Sequence, residues 1–223
     1  MSMGSEPCWT TAWNPTEPSR WCSTRPPAGS EKHGRRCCSR AIDGYARAVI
    51  IRAETPGDYP GVAATNNAAF NEENEAHLID LIRQTDLYVP ELSLVAIVDD
   101  RVVGHVMFSY VTLEAPTGDR RILDLAPLAV HPEHQNQGVG TALTEHGVAL
   151  IESRGEPLVL VEGIPSYYPR FGFERASPHG ITPPSPKIPD DAFMVKRLAN
   201  YDSSYRGQVR YPPAFYEADA VGP

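Results

Sequence analysis

Residues 128–143 read Leu128-Ala129-Val130-His131-Pro132-Glu133-His134-Gln135-Asn136-Gln137-Gly138-Val139-Gly140-Thr141-Ala142-Leu143. An apolar run gives way to a loop, and a turn holding Gly138 and Gly140 opens directly into a long helical pattern. The first N–H groups of a helix lack intrahelical partners and sit at the positive end of its dipole, so such a turn can hold an anion. Glycine at both positions removes side chains that would keep phosphate oxygens from the backbone. The same pattern also fits an ordinary helix start. Two nucleotide sites are excluded. A dinucleotide fingerprint needs a third glycine where Leu143 stands, and a Walker loop needs a Gly-Lys-Ser/Thr that the stretch lacks.

The elements that must position this turn follow from periodicity. Val139, Ala142, Leu143, His146, Ala149 and Leu150 recur at three- and four-residue intervals, which predicts a helix over 138–154. Gly155 and Pro157 stop it. Upstream, Arg121 to Val130 is β-rich. Leu92 to Val98, the turn Asp99-Asp100, and Val102 to Leu113 predict a hairpin. Val49-Ile50-Ile51 is a short β-rich run, and Thr55-Pro56 with Asp58 signals a helix start. Helical spacing over Ala63–Phe70 and Ala76–Ile82 breaks around Asn71. Downstream, Leu158 to Val161 fits a strand buried on both faces, and Ala192 to Val195 a final strand. The order is that of a mixed α/β domain over 48–197. A polar tail, 198–223, ends in the aromatic cluster Tyr211-Pro212-Pro213-Ala214-Phe215-Tyr216, which is placed to dock on the domain.

The chain has 223 residues, 41% hydrophobic and 22% charged, enough for one good-sized core, and global disorder is excluded. No apolar run approaches the roughly 18–20 residues that span a bilayer. The N-terminus carries Glu6 and no apolar stretch, so it does not resemble a secretory signal, and the expected compartment is the cytoplasm. The four cysteines (Cys8, Cys22, Cys37, Cys38) and three tryptophans all lie in the first 38 residues. Residues 1–47 hold seven Lys and Arg against four Asp and Glu, a charge of +3, so the rest carries −11 of the total −8. This break predicts an appended extension over 1–47, either disordered or a start codon set too far upstream. Its cysteine spacing fits no zinc pattern. The remainder has no cysteine for a disulfide or a thiol nucleophile. Its negative charge and lack of a basic patch argue against nucleic acid as a partner.

Gln135-x-x-Gly138-x-Gly140 after Leu-Ala-Val-His-Pro resembles motif A of the GCN5-related N-acetyltransferase (GNAT) superfamily, which reads Q/R-x-x-G-x-G/A and binds acetyl-CoA. Tyr167-Tyr168-Pro169-Arg170-Phe171-Gly172-Phe173 is similar to the family's motif B, an aromatic turn ending in Gly-Phe. Asp99-Asp100-Arg101-Val102-Val103-Gly104 is similar to its second hairpin. The strings PLAV and YYPRFGF resemble a bacterial subgroup of N-acetyltransferases. The likeness runs over roughly 48–197, with the motifs in order.

The resemblance implies the GNAT fold, a mixed α/β sheet in which two parallel strands, here Ile122–Val130 and Leu158–Glu162, splay apart and admit the pantetheine arm. Pro127 suits a strand end or bulge there. Backbone groups of Leu128, Ala129 and Val130 are then expected to pair with pantetheine and polarise the acetyl carbonyl. The N–H groups of Gln135, Asn136, Gln137, Gly138, Val139, Gly140 and Thr141 are expected to take the pyrophosphate. Tyr168 holds the position of the family's general acid, which protonates the departing thiolate; Tyr167 is the nearby competitor. Asp124 stands six residues before Val130, where histone acetyltransferases of the family carry a glutamate base. Glu162 and Glu72 are further candidates. His131 and His134 fall in the family's His-Pro-Glu loop, so no metal is implied.

The implied activity is acetyl transfer from acetyl-CoA to a primary amine by direct attack in a ternary complex. The acceptor is a small-molecule or peptide amine, and the −11 charge is compatible with a cationic one. No membrane partner is implied, and the assembly is a monomer or homodimer. An alternative is a non-catalytic acyl-CoA-binding sensor or regulatory module on the same fold, which turnover with any amine excludes.

Overall fold

The β-rich start at Val49 becomes strand β1 (Ile50–Ala53), in a computed structural model that describes residues 49–221. The extension expected over 1–47 therefore lies outside the described residues. After β1, Asp58 accepts hydrogen bonds from the Thr55 backbone at 2.7 Å and from Arg52 at 2.7 and 2.8 Å, which fixes the entry into helix α1 (Tyr59–Phe70). Asn71 ends α1 in the left-handed region, φ 60°, a conformation asparagine tolerates. The break expected around Asn71 is thus a real helix end, and α2 (Asn74–Arg83) starts three residues on.

Strands β2 (Ser93–Val98) and β3 (Arg101–Ala115) form the expected hairpin across Asp99 and Asp100, both at positive φ. Strand β4 (Gly118–Val130) then returns antiparallel along β3. Helix α3 (Val139–Ser153) crosses back to β5 (Leu158–Glu162), which lies parallel to β4. The short strands β6 (Glu174–Arg175) and β7 (Ile181–Thr182), then β8 (Phe193–Arg197), β9 (Gly207–Arg210) and helix α4 (Pro213–Glu217) complete the chain. The sheet order is β1-β2-β3-β4-β5-β8-β6, with β9 joined to both β3 and β7. This is the expected mixed α/β sheet.

Its two faces carry separate cores. Val62 of α1 and Leu78, Ile79 and Ile82 of α2 pack on Val95, Met107, Ile122 and Leu160. On the other face, Val139, Leu143, Val148 and Ile151 of α3 pack on Val106, Phe108, Leu123 and Val159. Of the stripe predicted for α3, Val139 and Leu143 face the sheet; the buried face continues through Gly147, Val148 and Ile151, while Ala149 is exposed and Ala142, His146 and Leu150 are half-buried. Gly147 lets the helix approach β3 closely, since a Cβ there would lie 2.3 Å from the Phe108 ring.

One feature differs from expectation. The strands read as ending at Leu113 and starting at Arg121 extend to a second hairpin, pairing Ala115 with Gly118. The added residues are polar, and Arg210 of β9 joins Glu114 at 2.7 Å and Asp119 at 3.0 Å across them. The polar tail docks on the domain, as its aromatic cluster led one to expect. β9 pairs with Thr112, Leu113 and Glu114 of β3, and Tyr211 and Phe215 are buried in the core that α2 forms with the sheet.

Candidate active site

The site begins where β4 leaves β5. Pairing between them covers only Leu123–Leu125 against Val159–Val161. Against β3, Val106 faces Leu128 while Phe108 faces Leu125, so β4 carries an extra residue at Ala126–Pro127. Such a bulge bends a strand, and proline removes the N–H that a ladder would use. From Ala126 onward β4 runs on without β5, and the expected splay is present.

Backbone alternation decides what faces the gap. The His131 N–H donates to Val103 of β3 at 2.9 Å. Strand residues turn to opposite sides in alternation, so Val130 and Leu128 turn their backbone groups toward the side β5 has left. The Val130 carbonyl accepts from Gln135 Nε2 at 3.1 Å, and Gln137 Nε2 donates to the Glu133 carbonyl at 2.8 Å. These two glutamines brace the loop. The N–H of Gln135 is itself spent on Pro132, at 3.3 Å, so it is not one of the free anion donors expected.

The turn above the gap has the geometry of an anion site. Gly138 caps α3 at φ 86°, and the first helical bond runs from Ala142 N–H to the Gly138 carbonyl at 2.9 Å. The amides of Val139, Gly140 and Thr141 therefore have no intrahelical acceptor. Gly140 leaves room for a tyrosine, because a Cβ there would lie 2.9 Å from the Tyr167 hydroxyl. That hydroxyl hydrogen-bonds with Thr141 and Thr144, so Tyr167 is tied to the start of α3.

Gap and turn open into one cleft of about 1500 Å³. Leu128, Val130, Gln135, Asn136, Gly138, Gly140 and Thr141 line it; Ala129 and Val139 are buried in the core, and Gln137 holds the loop through Glu133. Tyr167 and Tyr168 both stand on its wall. Tyr168 is 7% exposed, edge-on to Phe173, and fits against β5 because Gly163 has no Cβ, which would lie 2.3 Å from the ring. Burial, then the charges of Tyr167 and Asp124, push its phenol above the ordinary value, so it keeps its proton at neutral pH. That is the state a proton donor needs.

The acids divide. Glu162, at the first position of β5 past the paired stretch, lines the cleft together with Glu72. It shares a hydrogen bond with the Tyr211 hydroxyl. Asp124 is fully buried, and neither carboxylate oxygen has a hydrogen-bond partner. Burial first, and the charge of Glu162 second, push its carboxyl well above the usual range. Enclosure argues against Asp124 as the group that takes a proton from an amine, and burial favours its neutral form. His131 is spent on its own loop, accepting from the Glu133 N–H at 3.4 Å. Among the described residues no cluster of three or more His, Cys, Asp or Glu could hold a metal, and no helix is long and apolar enough to cross a membrane.

The C-terminal segment supplies Tyr211, Phe215 and Asp219 to the cleft, as a docked tail would; the aromatic cluster is the sequence signal of the first two, and nothing local marks Asp219. Arg170 also lines the cleft; it lies 4.5 Å above the Tyr167 ring and donates to the Tyr167 carbonyl at 2.8 Å.

Comparison with known proteins accounts for this arrangement. A family model described as an acetyltransferase (GNAT) domain matches residues 50–176. The chain is 35% identical over 153 residues to the uncharacterized N-acetyltransferase YhbS of Escherichia coli (strain K12), covering 68% of this chain and 89% of that protein. To the uncharacterized N-acetyltransferase YjhQ of the same organism it is 32% identical over 157 residues, 69% of this chain and 86% of the relative. The crystal structure of Escherichia coli YhbS in complex with CoA superimposes with a TM-score of 0.70 at 33% identity, covering 79% of this chain and 96% of the other. A GNAT family acetyltransferase from Brucella melitensis in complex with acetyl-CoA gives 0.62 at 27% identity, covering 75% and 97%. The chain belongs to the GNAT acetyltransferase family.

Proposed function

We propose that this protein moves an acetyl group from acetyl-CoA to a primary amine by direct attack within a ternary complex. The observation that carries this reading is the cleft itself: it joins the free amides at the start of α3 to the gap between β4 and β5, and continues to Glu162 and Tyr211. Solved relatives that hold CoA and acetyl-CoA support it. The pyrophosphate rests on the amides of residues 138–141, with Gly138 and Gly140 allowing close approach. The pantetheine arm lies in the gap and pairs with the backbone of Leu128 and Val130. Those strand groups polarise the thioester carbonyl.

An alkylammonium, of pKa roughly 10, must first lose a proton. Glu162 on the cleft wall takes it, directly or through water, while Asp124 stays protonated behind it. The freed nitrogen lone pair attacks the thioester carbon and forms the C–N bond, and the nitrogen, now positively charged, releases its second proton to water, from which Tyr168 is later reprotonated. Collapse of the tetrahedral oxyanion breaks the C–S bond, and Tyr168 gives its proton to the leaving thiolate. No covalent acyl-enzyme is needed. The reading is tested by following thiol release from acetyl-CoA against amino acids, polyamines, aminoglycosides and peptides. Turnover with one of them is expected. Tight acetyl-CoA binding without turnover of any amine identifies a sensor instead.

A further inference from the structure

Glu162, the base of the proposed reaction, ends β5, and pairing with β4 stops one residue before it. Several rotatable bonds separate its carboxylate from the backbone. A group that takes a proton from an amine must meet it at hydrogen-bond distance and from a fixed direction. The strand alone leaves that direction open at the acceptor end of the cleft.

A side chain from the far end of the sequence closes it. Tyr211 is 4% exposed, and its hydroxyl donates to the Glu162 carboxylate. Both residues line the cleft. The phenol is held from several sides. Its ring stacks on Phe215, with centroids 4.4 Å apart and planes at 25°. Just before it, Val209 and Arg210 pair with Leu113 and Thr112 of β3, and Arg210 is joined to Glu114 and Asp119. After it, Asn74 of α2 donates to the Asp219 carbonyl at 3.3 Å. The segment is thus anchored to the sheet on one side of Tyr211 and to α2 on the other. A phenol donates one hydrogen bond, so it engages one carboxylate oxygen and leaves the second for the amine. Tyr211 lies beyond residues 50–176, so this contact comes from outside the part of the chain that matches the family model.

We propose that Tyr211 is a positioning residue for acetyl transfer, holding one oxygen of Glu162 so that the other faces the acceptor amine. The proposal rests on the acetyl-transfer reading with Glu162 as base. Tyr211 acts only through Glu162 and touches neither the acetyl group nor the amine. A direction of pH dependence follows. A hydroxyl that donates to a carboxylate favours its charged form, so without it the carboxyl keeps its proton to higher pH. The other groups around the pair are Asp124 of β4, enclosed behind it, and Tyr216 of α4. Tyr168 is coupled to Asp124, and Glu72, Glu75, Asp219 and Lys187 line the same cleft. All of these are unchanged in Tyr211→Phe, and the amine's own titration is common to both enzymes, so a shifted limb belongs to the pair.

The test uses the full chain and an amine found by the thiol-release screen. Tyr211→Phe keeps the ring and its stack, and melting temperature checks that it folds. Its kcat is expected to fall about tenfold, the low end for losing a hydrogen bond to a charged group, with acetyl-CoA affinity by calorimetry unchanged. The acid limb of kcat/KM is expected to move up by about one pH unit. In a Glu162→Gln background the same substitution is expected to change turnover by less than about twofold, because two residues that act as one unit are not additive. An unshifted limb, a rate within about threefold of the parent, an equal loss in the Glu162→Gln background, or acetyl-CoA affinity lost in proportion to rate each overturns the positioning role and leaves acetyl transfer standing. Full turnover by Glu162→Gln overturns the base reading and this proposal with it. No turnover with any amine overturns acetyl transfer itself.

Discussion

Tyr168 and Tyr167 are adjacent in sequence, yet the fold ties them to different tasks. The Tyr167 hydroxyl is engaged with Thr141 and Thr144, whereas the Tyr168 ring lies against Gly163 beside the gap. Tyr168→Phe keeps the ring and removes the proton. An interaction made mainly in the transition state lowers kcat and kcat/KM together, and general acids contribute 10²–10⁴-fold, so a loss of about 10² is expected for a good leaving group such as a thiolate. Acetyl-CoA affinity, measured by calorimetry, is expected to hold, and Tyr167→Phe is expected to lose far less rate. Turnover of Tyr168→Phe within about threefold of the parent contradicts the acid role. Asp124 gives a second prediction. Its folded carboxyl titrates well above the ordinary 3.8. The folded chain keeps a proton that the unfolded chain releases, so this group's stabilising share is full below pH 3.8 and is lost as pH rises toward the folded value. An asparagine in its place does not titrate and carries no such loss. Asp124→Asn is therefore expected to raise the melting temperature relative to the parent, by more at pH 8 than at pH 5. For every pH unit that the folded carboxyl stands above its ordinary value, the loss amounts to about 1.4 kcal/mol, or roughly 3–6 °C in a chain of this size. A gain that does not grow with pH rejects this picture.

Among the elements, α3 does two jobs. Its apolar stripe anchors it to the sheet, and its first turn presents amides to the cleft. Gly138 links the two jobs through its positive φ of 86°. Gly138→Ala places a Cβ at the approach to those amides and is expected to weaken acetyl-CoA binding at least tenfold, about 1.4 kcal/mol. It also strains the backbone, since the left-handed region costs an L-residue roughly 1–2 kcal/mol. Gly155→Ala separates these effects. Gly155 sits past the other end of α3 at φ 75°. That variant is expected to lose comparable melting temperature and keep its acetyl-CoA affinity. Equal affinity loss in both variants removes the anion assignment.

For the whole molecule, the C-terminal segment completes the sheet, the core and the cleft at once. Phe215 is 1% exposed in the core and also lines the cleft. Phe215→Ala removes a buried ring, a change that costs about 3–5 kcal/mol. At about 2–4 °C per kcal/mol the expected fall in melting temperature is roughly 6–20 °C, read by calorimetric scan. Residues 1–47 contrast with it, having no hydrophobic period. A chain starting at Ala48 is expected to keep both melting temperature and acetyl-CoA affinity.

What is local in sequence was legible from sequence. The glycine turn, the span of α3, the β2–β3 hairpin and the α1–α2 break at Asn71 depend on residues a few positions apart, and the structure has each of them, although the face that α3 buries runs through Gly147, Val148 and Ile151 and not through Ala149. The end of the cleft proposed for acetyl-CoA is therefore nearly contiguous, running from Leu128 to Thr141. The acceptor end is not. Glu162 meets Tyr211 across 49 positions, and Asn74 meets Asp219 across 145. No periodicity marks such pairs. Asp124 reads in sequence as a candidate base at a familiar offset from Val130. Only the covering of β4 by neighbouring strands and helices makes it a buried acid with its neutral form favoured, because desolvation is set by everything packed around a group and not by its place in the chain.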